Sequence, residues 1–142
     1  MPSLQKALLE VEGLDPKTSA YSHAKAAIYN ELGRVYEMTS ELDLAEAELL
    51  KAAEFAEHVP ERRPLHFDIS YNLSTVYERK ARMAESCTQL RRTAALYRDL
   101  VVRPAEPPDG YGSSGERFLN DVAAPKIRAR AQRIGCDIKL SE

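Results

Sequence analysis

A chain of 142 residues has room for one hydrophobic core, and its 44% hydrophobic and 30% charged residues are typical of a folded protein. Its 20 Lys and Arg against 22 Asp and Glu leave a net charge of −2, which argues against general nucleic-acid or membrane binding. The sequence has neither the ~18 consecutive apolar residues of a membrane span nor the apolar core of a signal peptide at its start. We therefore expect a soluble, cytoplasmic protein in which Cys87 and Cys136 are free thiols.

Apolar residues recur at helical spacing along nearly the whole chain, and the few glycines and prolines gather at the breaks between these stripes. This pattern predicts an all-α protein. Pro64 is expected in the first turn of a helix, and Pro125 is expected to kink the last helix or divide it in two, since proline costs ~3 kcal/mol in a helix interior. The predicted elements are a short helix over 3–12, a helix pair over 18–58, a second pair over 64–102, a loop over 103–115 and a C-terminal helix over 116–134.

The two predicted helix pairs repeat each other at an offset of 41 residues. Six residues of the first pair are identical in the second, and five of the six are apolar-face residues. The first members are Leu32, Val35, Tyr36, Glu37, Leu49 and Ala53, and their counterparts are Leu73, Val76, Tyr77, Glu78, Leu90 and Ala94. Continuing the offset backward places Leu8 and Leu9 on Leu49 and Leu50, so the short first helix corresponds to the second half of an incomplete leading repeat.

This repeat resembles the tetratricopeptide repeat (TPR) family, whose pattern is W-x₂-L-G-x₂-Y followed by A-x₃-F. The first copy matches it, with Tyr for Trp and Leu for Phe, at Tyr29, Leu32, Gly33, Tyr36, Ala45 and Leu49. The second copy is weaker, with Ser70, Leu73, Ser74, Tyr77, Ser86 and Leu90, and the period exceeds the family's usual ~34 residues. The resemblance implies a short α-solenoid of antiparallel helix hairpins, a TPR-like superhelix, in which 3–12 is a leading half repeat, 18–58 repeat one, 64–102 repeat two and 116–134 a cap.

The resemblance also implies that the first helix of each repeat lines a concave groove that binds a peptide segment or helix of another protein. Amide, guanidinium and phenol groups there could bond a peptide backbone or a carboxylate. The alternative is a plain solvated helix face. The lysines of the subset that binds a chaperone's C-terminal carboxylate are absent here. The groove residues carried over from the family are Asn30, Arg34, Glu37, Met38, Asp68, Tyr71, Asn72, Thr75 and Arg79.

Catalytic motifs are absent from the sequence, and His23, His58 and His66 do not stand at metal-ligating spacing. We therefore expect no cofactor, no metal and no enzymatic activity. The function that these observations favour is a non-catalytic protein–protein interaction module or scaffold, with a homo-oligomer as a further option.

Charge is unevenly distributed along the chain. Residues 1–60 contain 5 basic and 11 acidic side chains, and residues 61–103 contain 9 basic and 5 acidic ones. These segments could join copies of the chain in a self-associating structural piece, or they could offset each other within one molecule, which we favour. The last helix carries a basic run that could make a nucleic-acid adaptor, although a solvated cap fits the missing aromatic residues better. The run consists of Lys126, Arg128, Arg130 and Arg133.

Overall fold

The protein is all-α in a computed structural model that describes residues 2–104 and 117–141. The all-α class predicted from the sequence is thus confirmed for the described residues. Apart from residues 103 and 104, the predicted loop over 103–115 lies outside the described residues, as does residue 116. Within the described ranges no helix is both long and apolar enough to cross a membrane. The helices are α1 (Pro2–Glu12), α2 (Ser19–Met38), α3 (Leu42–Ala56), α4 (Arg63–Arg79), α5 (Met83–Val102) and α6 (Ala124–Ile134).

The long helices pack as two consecutive hairpins. α2 packs along α3 and α4 packs along α5, each pair joined by a three-residue turn. α4 also contacts both α2 and α3, so the second hairpin is stacked on the first. α1 lies against α2 at one end, and α6 lies against α5 at the other.

Two apolar clusters hold this arrangement together, and α4 contributes to both. In the first, Leu49 and Leu73 are completely or almost completely buried between the two hairpins. In the second, Leu90 and Ile127 are completely buried and join α5 to α6. Burying a leucine or isoleucine contributes about 1.5–3 kcal/mol, so the packing of α6 on α5 adds to the stability of the core.

The turns between paired helices use left-handed residues. Ser40 has φ 64° and Ala81 has φ 59°, directly after α2 and α4. Ser40 and Asp43 have the residue types of a capping box, but no such box forms, because Ser40 terminates α2 and its hydroxyl accepts a hydrogen bond from Arg79 at 2.8 Å. α3 begins instead after Glu41, which makes no side-chain capping bond.

A π-helical turn, Leu119–Ala123, precedes α6, in which Pro125 stands in the first turn. The amide of Ala124 donates to the carbonyl of Leu119, five residues back, so the backbone has left regular α register just before the proline. A proline has no N–H and is tolerated in a first turn, where an N–H would have no partner within the helix. The π-helical turn is thus the interruption that the sequence predicts near Pro125. Pro64 also stands in a first turn, that of α4.

The two cysteines form a disulfide between α5 and the segment after α6. Cys87 and Cys136 are 49 residues apart in sequence, and their Cα atoms are 5.5 Å apart. The expectation of free thiols is therefore wrong. Cys136 is buried against the core that α5 and α6 share, which brings its sulfur to Cys87.

Candidate functional site

A cavity of about 390 Å³ lies on the surface formed by α2, α4 and the C-terminal segment. α2 and α4 contribute five residues of the predicted groove, because positions three and four apart on a helix project from one face. These five are Asn30, Arg34, Asp68, Tyr71 and Asn72. Glu31 and Phe67 complete the contribution of these helices, and Phe118, Val122, Ala123 and Lys126 form the wall opposite.

The other four predicted groove residues do not line this cavity. Glu37 and Arg79 connect the ends of α2 and α4, because the Arg79 guanidinium lies 3.4 Å from the Glu37 carboxylate and donates to the Glu37 carbonyl. Met38 is exposed beyond the cavity at the end of α2. The Thr75 hydroxyl donates to the carbonyl of Tyr71, one turn earlier on α4, at 3.1 Å.

Several polar groups of the cavity already have partners within the protein. The Asn72 amide donates to the Asn30 side-chain oxygen at 2.9 Å and links α4 to α2. Arg34 forms a two-pronged ion pair with Glu31, one turn earlier on α2. This pair raises the pKa of Arg34 and lowers that of Glu31, chiefly through the hydrogen bonds between them. The rim of the cavity on α2 is therefore polar but nearly neutral.

Arg130 fixes α6 against α4 behind the cavity. Its guanidinium donates to Glu78 at 2.7 Å and to the Ser74 hydroxyl at 2.9 Å, and it lies 4.4 Å from the centre of the Tyr71 ring. Arg133 donates to the same carboxylate at 2.7 Å. Hydrogen bonds from Arg133 and Arg130 outweigh the effect of burial and lower the pKa of Glu78.

These contacts correct the interpretation of the C-terminal basic run as a solvated cap. Only 7% of the Arg130 surface is exposed, because the residue lies on the same face of α6 as the core residue Ile127. Lys126, Arg128 and Arg133 are exposed, but Arg133 is paired with Glu78, and Lys126 lines the cavity. Half of the predicted basic patch is thus a structural bond between α6 and α4.

Asp68 differs from the other charged residues of the cavity, because it has no hydrogen-bond or ion-pair partner in the part of the chain that the structure describes. Its side chain is exposed to the cavity, yet the concave surface surrounds it with protein atoms. The resulting desolvation raises the pKa of the carboxyl from 3.8 to about 6. The Asp68 carboxylate therefore has no protein counter-ion among the described residues and is only partly hydrated.

Sequence reasoning missed the wall of the cavity that Phe118, Val122 and Lys126 form. The only available signal was the apolar stripe Leu119, Ala123, Ile127 on the last helix, which indicates a buried face but not the helix against which it packs. Within residues 2–104 and 117–141, no cluster of His, Cys, Asp or Glu is arranged to hold a metal ion. The arrangement can therefore offer hydrogen bonds, charge and aromatic surface to a ligand.

Comparisons with protein-family models, with curated proteins and with solved structures found no match to this chain. The function must therefore be inferred from the chain's own residues.

Proposed function

We propose that the protein is a non-catalytic interaction module that holds a peptide segment or a helix of another protein in the cavity between α2, α4 and the C-terminal segment. The observation that carries this proposal is the composition of the cavity. Amides, charged groups and aromatic side chains from three separate segments face one space of about 390 Å³. That volume and that mixture suit the side chains and backbone of a bound segment.

A TPR-like solenoid is the architecture that we propose for this module. Equivalent turns support it, because Ser40 and Ala81 are 41 residues apart and both are left-handed. Small residues at the hairpin contacts support it as well. A Cβ atom on Gly33 would lie 2.4 Å from Leu49, and the equivalent Ser74 is completely buried beside Ser86, whose hydroxyl donates to the Ser74 carbonyl at 2.8 Å. Close helix approach at matching places is what stacked hairpins of this kind require.

The alternative of charge-driven self-association is less well supported, because the acidic and basic segments meet inside one molecule. Lys80 donates to Asp43 and to Glu46, each at 2.7 Å, and Arg82 donates to Glu46 at 2.9 Å. Desolvation alone would raise the pKa of Glu46, but the hydrogen bonds from Lys80 and Tyr77 lower it. These groups are already neutralised and leave less charge for a second copy.

The alternative of a nucleic-acid adaptor is also less well supported, because Glu78 binds Arg130 and Arg133, which are half of the basic run. Lys126 and Arg128, the two members of the run that Glu78 does not bind, would supply few phosphate contacts. Salt-dependent affinity for nucleic acid grows with the number of phosphates neutralised, so two cations contribute little.

A peptide-display selection tests the proposal. Short random linear peptides are selected on the immobilised protein, and the best one is titrated against wild type and two variants. Asn72→Arg places a long side chain in the cavity, whereas Glu54→Arg places the same side chain on an exposed part of α3 outside it. We expect Asn72→Arg to weaken binding at least about tenfold and Glu54→Arg to leave it within about twofold.

Circular dichroism controls for folding, because Asn72 also bonds Asn30. Failure to select any peptide, or equal affinity for a folded Asn72→Arg variant and wild type, would overturn the proposal.

A further inference from the structure

The cavity contains four charged side chains, and they are not equally available to a ligand. Glu31 and Arg34 on α2 neutralise each other through two hydrogen bonds. Asp68 on α4 and Lys126 on α6 face the same space, but neither makes an ion pair within the described part of the chain. They are therefore more than 4 Å apart, the limit for an ion pair, and each keeps its own charge for an incoming group.

Asp68 has the more restricted surroundings of the two. Both residues are exposed to solvent in the cavity, but the protein atoms around the carboxyl of Asp68 are dense enough to raise its pKa to about 6. The titratable and charged groups that face it are Glu31 and Arg34 from α2, Tyr71 from its own helix and Lys126 from α6. A partly desolvated carboxylate without a cation gains more from an incoming cation than a solvated one does, because part of its hydration is already lost.

Aromatic side chains line the same cavity as this carboxylate. Phe67 and Tyr71 precede and follow Asp68 on α4, and Phe118 lines the cavity from the C-terminal segment. Arg130 already occupies one side of the Tyr71 ring at 4.4 Å, which shows that aromatic groups here accept a guanidinium at close range. A carboxylate next to aromatic rings is the usual environment of a bound ammonium or guanidinium group.

We propose that Asp68 receives a basic side chain, an arginine or a lysine, of the partner segment that the cavity binds. This inference rests on the proposed function and gives it a chemical specificity. The basic side chain pairs with the Asp68 carboxylate and covers its aromatic neighbours. Lys126 on the opposite wall repels that side chain, so it limits binding to segments whose cation reaches Asp68.

The test uses the peptide selected for cavity binding, with its arginine or lysine replaced by neutral citrulline or acetyl-lysine. In wild type we expect this replacement to weaken binding at least about tenfold, as loss of a charge-assisted hydrogen bond does. In Asp68→Asn, which keeps the size of the side chain, the same replacement changes affinity less than about twofold. The matched control Glu54→Gln removes one exposed carboxylate outside the cavity and retains the wild-type response.

Lys126→Ala and pH supply two further measurements on the same peptide. Lys126→Ala strengthens binding of the basic peptide, because a repulsive charge is removed. Binding to wild type weakens as the pH falls from about 8 to about 5, and binding to Asp68→Asn does not, because only wild type loses the carboxylate charge.

The outcomes separate the two proposals. A selected peptide that Asn72→Arg blocks but that carries no basic residue, or whose basic residue can be neutralised without loss, leaves the interaction module standing and overturns the role of Asp68. The role of Asp68 is also overturned if Lys126→Ala binds the peptide more weakly than wild type while Asp68→Asn binds it equally well. That result would indicate an acidic ligand instead. If no peptide binds in the cavity, both proposals fail.

Discussion

Ser40 and Ala81 occupy the same structural position 41 residues apart, and both have a left-handed backbone, with φ of 64° and 59°. The amide after each donates to a carbonyl five residues earlier, from Glu41 to Tyr36 at 2.9 Å and from Arg82 to Tyr77 at 2.8 Å. These are the hydrogen bonds of the Schellman motif, which normally has glycine at this position. Both α2 and α4 thus end in a Schellman motif, but neither has glycine at the left-handed position.

Replacing Ala81 by glycine should therefore stabilise the protein. A non-glycine residue in the left-handed region costs about 1–2 kcal/mol, and the entropy that glycine loses on folding offsets about 0.5–1 kcal/mol of the gain. We expect Ala81→Gly to raise the free energy of unfolding in urea by up to about 1.5 kcal/mol. Ala84→Gly, in the regular first turn of α5, is the control and should lower it by about 0.5–1 kcal/mol. Equal losses in both variants would show that Ala81 is not left-handed in solution.

Gly33 offers the opposite test, because alanine is the better helix former but has no room. A Cβ atom there would lie 2.4 Å from Cγ of Leu49 and 3.2 Å from the carbonyl oxygen of Ala45. Helix propensity alone predicts that Gly33→Ala adds about 1 kcal/mol of stability, whereas overpacking predicts a loss of about 1–3 kcal/mol. We expect the loss, measured by urea unfolding. Gly13→Ala, whose Cβ would approach nothing closer than 3.4 Å, should stay within about 0.5 kcal/mol of wild type. A stabilised Gly33→Ala would mean that α2 and α3 are not in this contact.

A feature of this structure could be predicted only where it leaves a physical signal in the amino-acid sequence. Leu32 and Leu73 recur at helical spacing and at the repeat offset, so the helices and the α2 and α4 side of the cavity could be predicted. The left-handed Ser40 could not, because serine is uncommon in that conformation and favours helix starts instead.

The C-terminal segment left weaker signals. It does not follow the repeat, so no offset indicated where α6 packs, and the π-helical turn before it has no sequence signature. The sequence predicts Arg130 in solvent because a charged residue is rarely buried unless it is paired, and its partner Glu78 is 52 residues away. The pairing of Cys87 with Cys136 was missed because two cysteines 49 residues apart contain no information on their distance in space.

The disulfide predicts a redox-dependent stability. It closes a loop across the whole C-terminal part of the chain, so its reduction should lower the free energy of unfolding by about 2–4 kcal/mol. Urea unfolding with and without a reductant measures this difference, and Cys87→Ser/Cys136→Ser serves as the control that no longer responds to reductant. The bond also weakens the argument for a cytoplasmic location, since structural disulfides are commoner in oxidising compartments. Identical unfolding curves for oxidised and reduced wild type would contradict this prediction.

Glu78 should make the protein sensitive to acid. Bonds from Arg133 and Arg130 hold its pKa below the ordinary value of 4.5, so the stabilisation is fully present above that value and is lost as the pH falls through the lower, folded-state pKa. Glu78→Gln leaves the buried Arg130 without a counter-ion and should cost about 3 kcal/mol at neutral pH. Thermal unfolding from about pH 7 to about pH 3 checks this, because the difference between variant and wild type should shrink in acid. A pH-independent difference would assign the loss to packing.

Asp68 should have the opposite pH dependence, because its folded-state pKa of about 6 lies above the ordinary value of 3.8. When the folded-state pKa of a carboxyl is raised, the protonated carboxyl stabilises the folded protein. This stabilisation is fully present at pH values below the unfolded-state pKa, and it is lost as the pH rises through the folded-state pKa. Asp68→Asn removes the charge and should raise the melting temperature at about pH 8, with the difference from wild type disappearing towards about pH 3. Thermal unfolding of both proteins across this range measures it, and Glu54→Gln controls for the change in net charge. If Asp68→Asn is no more stable than wild type at the higher pH, the carboxylate has a partner in solution and is not held free for a ligand.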